Sequence, residues 1–191
     1  MMKVLILGDR DSAGGTGFDL YGKVERTLEQ ASREVQSVIL NSDEIKPCLG
    51  CFGCWVKTPG LCVITNDSAN DLAHQLIQAD AVVILSKLTY GGVSPDVKAF
   101  LDRSIPNISP FFEIYHGEMH HRMRYKKFPC WITIGYGDST GDERETFLEL
   151  AERNALNLRP PKHFCLTIQN SEECSGAIQS LSRILSEEVS A

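Results

Sequence analysis

Four of the seven cysteines lie close together in the sequence, and their spacing suits metal binding. Cys48, Cys51, Cys54 and Cys62 form the pattern C-x2-C-x2-C-x7-C. Short C-x2-C spacings let three thiolates converge on one iron–sulfur cluster. Structural zinc more often uses two separated C-x2-C knuckles, so zinc ranks below iron. The four cysteines are therefore candidate metal ligands.

Three glycine-bearing segments, each directly after a predicted buried strand, suit the binding of a flat ring with a phosphate tail. The first, GDRDSAGGTG, offers backbone N–H groups at the start of a helix, which favours phosphate. It lacks the G-x-G-x-x-G and G-x-x-x-x-G-K-[ST] spacings, and a plain flexible turn also explains it. In the second, Tyr90 precedes two glycines that allow close approach of a planar ligand, although a packed tyrosine in an ordinary turn is an alternative. The third, GYGDSTGD, again offers backbone contacts.

These segments must be positioned by the elements around them. Five short, nearly continuous apolar runs predict strands buried on both faces, as in a parallel sheet covered by helices. Helices are predicted between them: over 67–79, after a Ser94-Pro95 cap, after an Asp142/Glu145 capping box, after a Ser171 cap and, less clearly, over 15–31. Alternating strands and helices predict one α/β domain over 1–191 with right-handed crossovers. The five runs are Val4–Leu7, Val35–Leu40, Ala81–Leu85, Cys130–Ile134 and Phe164–Ile168.

Two segments do not fit this alternation and are predicted to be functional. One is the cysteine-rich loop 44–66. The other is a long connection over 104–128, whose aromatic residues are expected to cover a ligand or a second subunit. Its three histidines lack partners at ligand spacing and are predicted to be surface or interface residues. The aromatic residues are Phe111, Phe112, Tyr115 and Tyr125, and the histidines are His116, His120 and His121.

Composition narrows the class of protein. A net charge of −6 over 191 residues gives no basic footprint for nucleic acid. No apolar run is long enough for a membrane span, and the opening MMKVLILGDR reaches charged residues too soon for a signal peptide. We therefore expect a cytoplasmic protein with no nucleic-acid or membrane partner. A reducing compartment argues against a disulfide framework, and Cys130, Cys165 and Cys174 are expected to be buried.

Three stretches together resemble the flavodoxin-like NAD(P)H-dependent FMN reductases and quinone reductases: KVLILGDRDSAGGT, ADAVVILSKLTYGGVSPDVKAFLDR and PCWITIGYGD. The resemblance implies a flavodoxin-like three-layer sandwich with a five-stranded parallel sheet of order 2-1-3-4-5. It also implies FMN at the sheet edge, with the phosphate in the first loop and the ring at the second and third. By position, the matching residues are Arg10, Ser12, Gly15 and Thr16 for the phosphate, and Leu88, Thr89, Tyr90, Gly91, Gly135, Tyr136, Gly137 and Asp138 for the ring.

The chain departs from this family at two points. Its first loop has Asp9-Arg10 where members commonly have serine and proline, and the second loop lacks a proline near Leu88. An acidic side chain beside a phosphate is unfavourable unless it points away. Asp9 is therefore not counted among the cofactor-binding residues.

The resemblance implies an enzyme that passes electrons from NAD(P)H through FMN to a quinone, a flavin or a similar small acceptor. It also implies a homodimer. The cysteine pattern is similar to that of the iron–sulfur flavoproteins, which suggests a [4Fe-4S] cluster and an alternative function as a non-enzymatic electron carrier that exchanges electrons with ferredoxin. A related group of reductases has a similar cysteine pattern without a cluster, so a metal-free, redox-active loop is a further possibility.

Overall fold

The computed structural model describes residues 1–14 and 19–187. Five parallel strands form the central sheet in the order β2-β1-β3-β6-β7, and a separate antiparallel hairpin pairs β4 with β5. The predicted order 2-1-3-4-5 is confirmed, because the hairpin lies outside the main sheet. The strands are β1 (Lys3–Asp9), β2 (Glu34–Leu40), β3 (Ala81–Lys87), β4 (Ile108–Tyr115), β5 (Glu118–Met123), β6 (Cys130–Tyr136) and β7 (His163–Ile168).

Within the described residues, six α-helices connect the strands and cover both faces of the sheet. One hydrophobic core lies between the sheet and α1 with α6, and the other between the sheet and α3 with α4. The central strands β1, β3 and β6 are buried almost throughout, which explains their unbroken apolar runs. None of these helices is long and apolar enough to cross a bilayer within the described ranges. They are α1 (Leu20–Gln30), α2 (Gly53–Val56), α3 (Ala69–Gln78), α4 (Pro95–Arg103), α5 (Gly141–Leu158) and α6 (Ser171–Glu187).

The helix caps confirm one prediction and show that two others are wrong. Ser94 caps α4 as predicted, with Pro95 at the first helical position. The capping box of α5 is formed by Thr140 and Glu143, not by Asp142 and Glu145, because the Thr140 side chain bonds the Glu143 N–H and Glu143 bonds back. The side-chain oxygen of Asn170 accepts hydrogen bonds from the N–H groups of Glu172 and Glu173, so Ser171 is the first helical residue of α6 rather than its cap.

The segment 104–128, predicted to be a long connection, contains the β4–β5 hairpin. Its register pairs Phe112 with His121 and Ile114 with Met119. A shift in register between Ile108 and Phe112 breaks the alternation of inward and outward side chains. This irregularity hides the strand period from the sequence.

Candidate functional site

The three glycine-bearing turns meet at one edge of the sheet. They follow β1, β3 and β6, which are neighbours in the sheet, and the strands end at nearly the same level. Ligands of open parallel sheets bind beyond the carboxyl ends of the strands. The fold therefore brings the three turns together at the carboxyl edge of the sheet, where the sequence predicted them.

A buried carboxylate fastens the three turns to one another. Asp9 is 1% exposed, and it accepts hydrogen bonds from the Ser12 N–H at 3.0 Å, the Lys87 N–H at 2.6 Å and the Tyr136 hydroxyl. Ser12, Lys87 and Tyr136 belong to the first, second and third turn respectively. Burial and then the bond to Asp9 raise the pKa of Tyr136, so its hydroxyl keeps its proton and acts as a donor.

Sequence reasoning missed the role of Asp9. The expectation that an acid here must point away from a phosphate agrees with its inward orientation, but the network that it organises was not foreseen. The only sequence signal is the departure itself, an aspartate directly after a buried strand. Its partners lie 78 and 127 residues away along the chain.

The first turn carries a charged side chain toward the edge. The Arg10 guanidinium donates to Asp96 at 3.0 Å and to Asp43 at 2.8 Å, and its side chain is about half exposed. Burial alone would raise the pKa of Asp96, but the hydrogen bond from Arg10 and the Ser42 N–H lower it to about 2. The Ser12 hydroxyl is buried and donates to the Asp9 carbonyl.

A cavity of about 380 Å³ lies between the first and second turns. Each of its three carboxylates is already engaged: Asp9 within its network, Asp11 by Lys87 at 2.8 Å and Asp96 by Arg10. An anion here would not face an unpaired negative charge. The predicted residues Gly15 and Thr16 lie outside the described residues. The cavity is lined by Asp9, Arg10, Asp11, Lys87, Thr89, Ser94, Pro95 and Asp96.

The second turn is a tight hairpin with two left-handed residues at its tip. Thr89 and Gly92 exchange two backbone hydrogen bonds, while Tyr90 has φ +50° and Gly91 φ +76°. This is the type I′ pattern, which favours glycine and strains a tyrosine. Tyr90 is 91% exposed, and neither its N–H nor that of Gly91 donates to another described residue. The turn therefore presents an aromatic ring at the surface, with two backbone donors beneath it that have no described partner, that of Gly91 on a buried residue. Leu88, by contrast, is buried.

The third turn is anchored more deeply than predicted. Gly135 lies in the core, where an added Cβ would come within 2.6 Å of the Phe147 ring. The Tyr136 side chain is buried against Asp9, so any contact of this residue with a ligand would involve its backbone. Gly137, at φ +110°, is still buried, and the turn reaches the surface from the exposed Asp138 onward.

The four clustered cysteines line a second cavity, of about 330 Å³. Cys48 and Cys51 are exposed, Cys54 and Cys62 are buried, and all four are free thiols. Burial and the neighbouring Cys62 raise the pKa of Cys54. Within residues 1–14 and 19–187, no three His, Cys, Asp or Glu side chains are arranged to hold a single metal ion. The arrangement therefore gives no support to zinc.

A four-iron cluster places different demands on this segment. It takes one sulphur from each of four cysteines around a group of atoms rather than around one ion. The donor set is of the right kind and number, and the four residues face one cavity large enough to hold a small cluster. The cysteine loop thus places the four sulphur donors that a cluster would need around one cavity.

The hairpin packs against this loop through aromatic rings. Trp55 lies 5.2 Å from the His121 ring, and His121 lies 4.5 Å from the Phe112 ring. The His121 Nδ1 donates to the Ser109 carbonyl at 2.7 Å, while His120 contacts Glu118 at 3.0 Å. The two histidines thus engage different partners.

A five-stranded parallel sheet of this order, covered by helices on both faces, is the flavodoxin-like fold. The model for "NADPH-dependent FMN reductase" matches residues 2–143, and the chain belongs to this family. Similar curated proteins include an iron-sulfur flavoprotein from Archaeoglobus fulgidus, 33% identical over 56% of this chain and 46% of that protein. Another from Methanocaldococcus jannaschii is 29% identical over 55% of this chain and 53% of that protein. The matched region therefore spans about half of each relative.

Solved structures support the fold over nearly the whole chain. An azoreductase from Bacillus anthracis aligns with a TM-score of 0.66 at 14% identity, covering 98% of this chain and 97% of that one. An NAD(P)H:quinone oxidoreductase from Methanothermobacter marburgensis aligns with a TM-score of 0.63 at 14% identity, covering 100% and 98%. At these identities the likeness establishes the fold.

Proposed function

We propose that this protein binds FMN at the three-turn edge and passes electrons from NAD(P)H through the flavin to a small acceptor such as a quinone. The main observation behind this assignment is that three turns from neighbouring strands converge and are held together by hydrogen bonds to Asp9, while backbone donors in them remain free. Family membership over residues 2–143 supports the same cofactor.

The residues of the edge fit the parts of FMN. Arg10 and the backbone of the first turn would hold the phosphate. Ser12, Gly15 and Thr16 belong to that turn and would form part of the phosphate site. The free N–H groups of Tyr90 and Gly91 would bond the polar edge of the ring, with Thr89, Gly137 and Asp138 beside it. Leu88, Gly135 and Tyr136 would act from beneath by shaping the turns.

Bound FMN would supply the acceptance of hydride and the onward transfer of electrons. The protein would bind the phosphate, orient the ring and limit water at the ring face. Asp9 would hold the turns in register, and the exposed Tyr90 would provide an aromatic surface for the second substrate. No protein acid or base is required by this chemistry.

An anaerobic preparation tests the proposal directly. The purified protein should contain about one FMN per chain, and NADH or NADPH should bleach the flavin in a stopped-flow experiment. A quinone added next should restore the flavin absorbance, giving ping-pong kinetics. Protein that neither retains nor binds FMN would contradict the proposal, whatever its activity.

We further propose that Cys48, Cys51, Cys54 and Cys62 hold a [4Fe-4S] cluster. The shared cavity and the similarity to proteins named iron-sulfur flavoproteins support this assignment. Iron and acid-labile sulfide should approach four of each per chain in anaerobic wild type. They should fall sharply in Cys51→Ala and stay unchanged in Cys165→Ala, which removes a thiol outside the cavity. Wild-type protein without sulfide would leave a metal-free thiol loop as the better explanation.

A protein that holds both a cluster and a flavin is suited to a second candidate function, that of a one-electron carrier. Such a protein would exchange electrons with reduced ferredoxin and react slowly with nicotinamides. The two functions separate in one stopped-flow series with NADH, NADPH and reduced ferredoxin as donors. Faster flavin reduction by ferredoxin than by either nicotinamide would select the carrier.

We also propose a homodimer that uses the outer face of the β4–β5 hairpin. Phe112, Ile114 and Met119 are exposed there, and the hairpin register places Ile114 opposite Met119. An apolar sheet face of this kind is typical of protein contacts. Light scattering should show a dimer that Ile114→Lys dissociates, while Leu148→Lys on α5 leaves it intact. A wild-type monomer at micromolar concentration would exclude this assembly.

A further inference from the structure

A buried ion pair closes the base of the cysteine loop. Arg103, at the end of α4, is fully buried and pairs with the equally buried Asp67 at 2.6 Å. Its guanidinium also donates to the carbonyl of Lys46 at 2.8 Å and to that of Ile64 at 3.0 Å. Lys46 and Ile64 lie at the two ends of the cysteine segment, so one side chain ties both ends together.

Four of the five N–H groups of the Arg103 guanidinium donate to these three partners. Nη1 donates to Lys46 and Asp67, and Nη2 donates to Ile64 and Asp67. The fifth donor, Nε–H, is buried and has no hydrogen-bond partner within the described part of the chain. A buried, unpaired N–H on a charged group is costly, and it calls for a partner.

The residues around the Arg103 Nε–H indicate a sulphur atom as its partner. Arg103 lines the same cavity as the four cysteines. Cys62 is buried, and it lies two residues before Ile64, whose carbonyl accepts from the same guanidinium. The backbone of Cys62 is itself fixed, because Asn70 bonds both its N–H at 2.9 Å and its carbonyl at 3.0 Å.

We propose that Arg103 is a positioning residue for the cluster: its Nε–H donates a hydrogen bond to a sulphur at the Cys62 corner and raises the reduction potential. The inference rests on the proposed cluster. Hydrogen bonds to cluster sulphurs, together with net charge and burial, set the potential of such clusters. Because the reduced cluster is the more negative form, a cationic donor stabilises it relative to the oxidised form.

Wild-type protein provides a test that needs no substitution. The chain is produced with ¹⁵N-arginine, the cluster is reduced with dithionite, and pulsed electron–nuclear double resonance is recorded. We expect a ¹⁵N hyperfine coupling from one arginine nitrogen, absent in the unlabelled protein. The coupling should also be absent in labelled Arg103→Lys, which keeps a charge but lacks Nε–H.

Potentiometric titration supplies the functional readout. In Arg103→Lys, the reduction equilibrium should shift roughly tenfold toward the oxidised cluster, which is about 59 mV for one electron. In the double variant Arg103→Gln/Asp67→Asn, which replaces the ion pair by a neutral amide pair, the shift should be at least as large. Arg122→Gln, on the exposed hairpin, is the control and should leave the potential unchanged.

The outcomes separate this inference from the proposed cluster and from the proposed FMN function. Wild type without iron and sulfide overturns the cluster and the role of Arg103, whereas the FMN proposal is decided by FMN binding alone. Wild type with a full cluster but no ¹⁵N coupling, or with a potential that Arg103→Lys leaves unchanged, overturns only the role of Arg103. If the variants lose the cluster, the wild-type coupling alone decides.

Discussion

Replacing Asp9 with asparagine should loosen the three-turn edge. All three groups that contact the carboxylate are donors: the Ser12 N–H, the Lys87 N–H and the Tyr136 hydroxyl. An amide of the same shape offers one acceptor oxygen and an NH₂ group that cannot accept. With the amide oxygen at the position shared by Ser12 and Tyr136, the Lys87 N–H faces another donor.

The magnitude follows from that count. One buried donor left unpaired costs about 1–3 kcal/mol, and the two remaining bonds lose the added strength of a charged acceptor. The removed charge no longer pays a burial penalty, which offsets part of this cost. We expect Asp9→Asn to lower the free energy of unfolding by about 2–3 kcal/mol. Tyr136→Phe, which removes one donor and leaves the carboxylate two, should cost about 1.5 kcal/mol.

Urea unfolding of the apoprotein and fluorescence titration with FMN measure the two consequences. Asp138→Asn is the matched control, because it neutralises an exposed carboxylate in the third turn and should change stability by less than about 0.5 kcal/mol. If Asp9 acts by holding the turns, Asp9→Asn weakens FMN binding at least tenfold. If it acts as a charge near the phosphate, the same variant binds FMN more tightly. Tighter binding with unchanged stability would refute the structural role.

Three further predictions concern the same edge. Gly91→Ala should weaken FMN binding and destabilise the apoprotein by about 1 kcal/mol, because the φ of Gly91 is +76°. Gly92→Ala is the control: its backbone is ordinary and an added Cβ would meet no atom nearer than 3.5 Å, so the same titrations should show neither effect. The pKa of Asp96 is about 2 in the folded protein against 3.8 in the unfolded chain, so the ionised side chain contributes about 2 kcal/mol to the free energy of unfolding. This contribution is complete above pH 4 and is lost as the pH falls toward 2. Urea unfolding at several pH values should show the loss in wild type but not in Asp96→Asn. Gly135→Ala places a Cβ 2.6 Å from the Phe147 ring and should cost about 1–3 kcal/mol in thermal unfolding, a loss that Phe147→Leu in the same chain partly restores.

The sheet could be predicted because each of its strands carries its own signal. Residues 81–85 are apolar without interruption, and in the structure both faces of that strand are covered by helices. The order of the strands came from the resemblance, since hydrophobic runs carry no information about their neighbours. The hairpin at 108–123 could not be found in this way. Its first strand contains Pro110 and a shift of register, so no clean alternation survives in the sequence.

The site was predictable in its location but not in its internal bonds. A turn rich in glycine after a buried strand is a local pattern, and the three turns were found from such patterns. The link between Asp9 and Tyr136 depends on a contact 127 residues apart that only the folded sheet creates. The same is true of Arg103, which reads as one basic residue at the end of a helix until the loop ends fold against it.

Helix α4 joins the two candidate cofactor sites. At its first turn, Asp96 pairs with Arg10 beside the three-turn edge, and at its last residue Arg103 pairs with Asp67 at the base of the cysteine loop. Nine helical residues span about 13 Å, so the distance between the two ion pairs is set by the rigid length of one helix. A flexible linker would let the flavin edge and the cysteine loop drift apart, whereas a helix fixed by a buried or half-buried charge pair at each end holds both in one frame. One element of the fold therefore sets the separation of the two candidate sites.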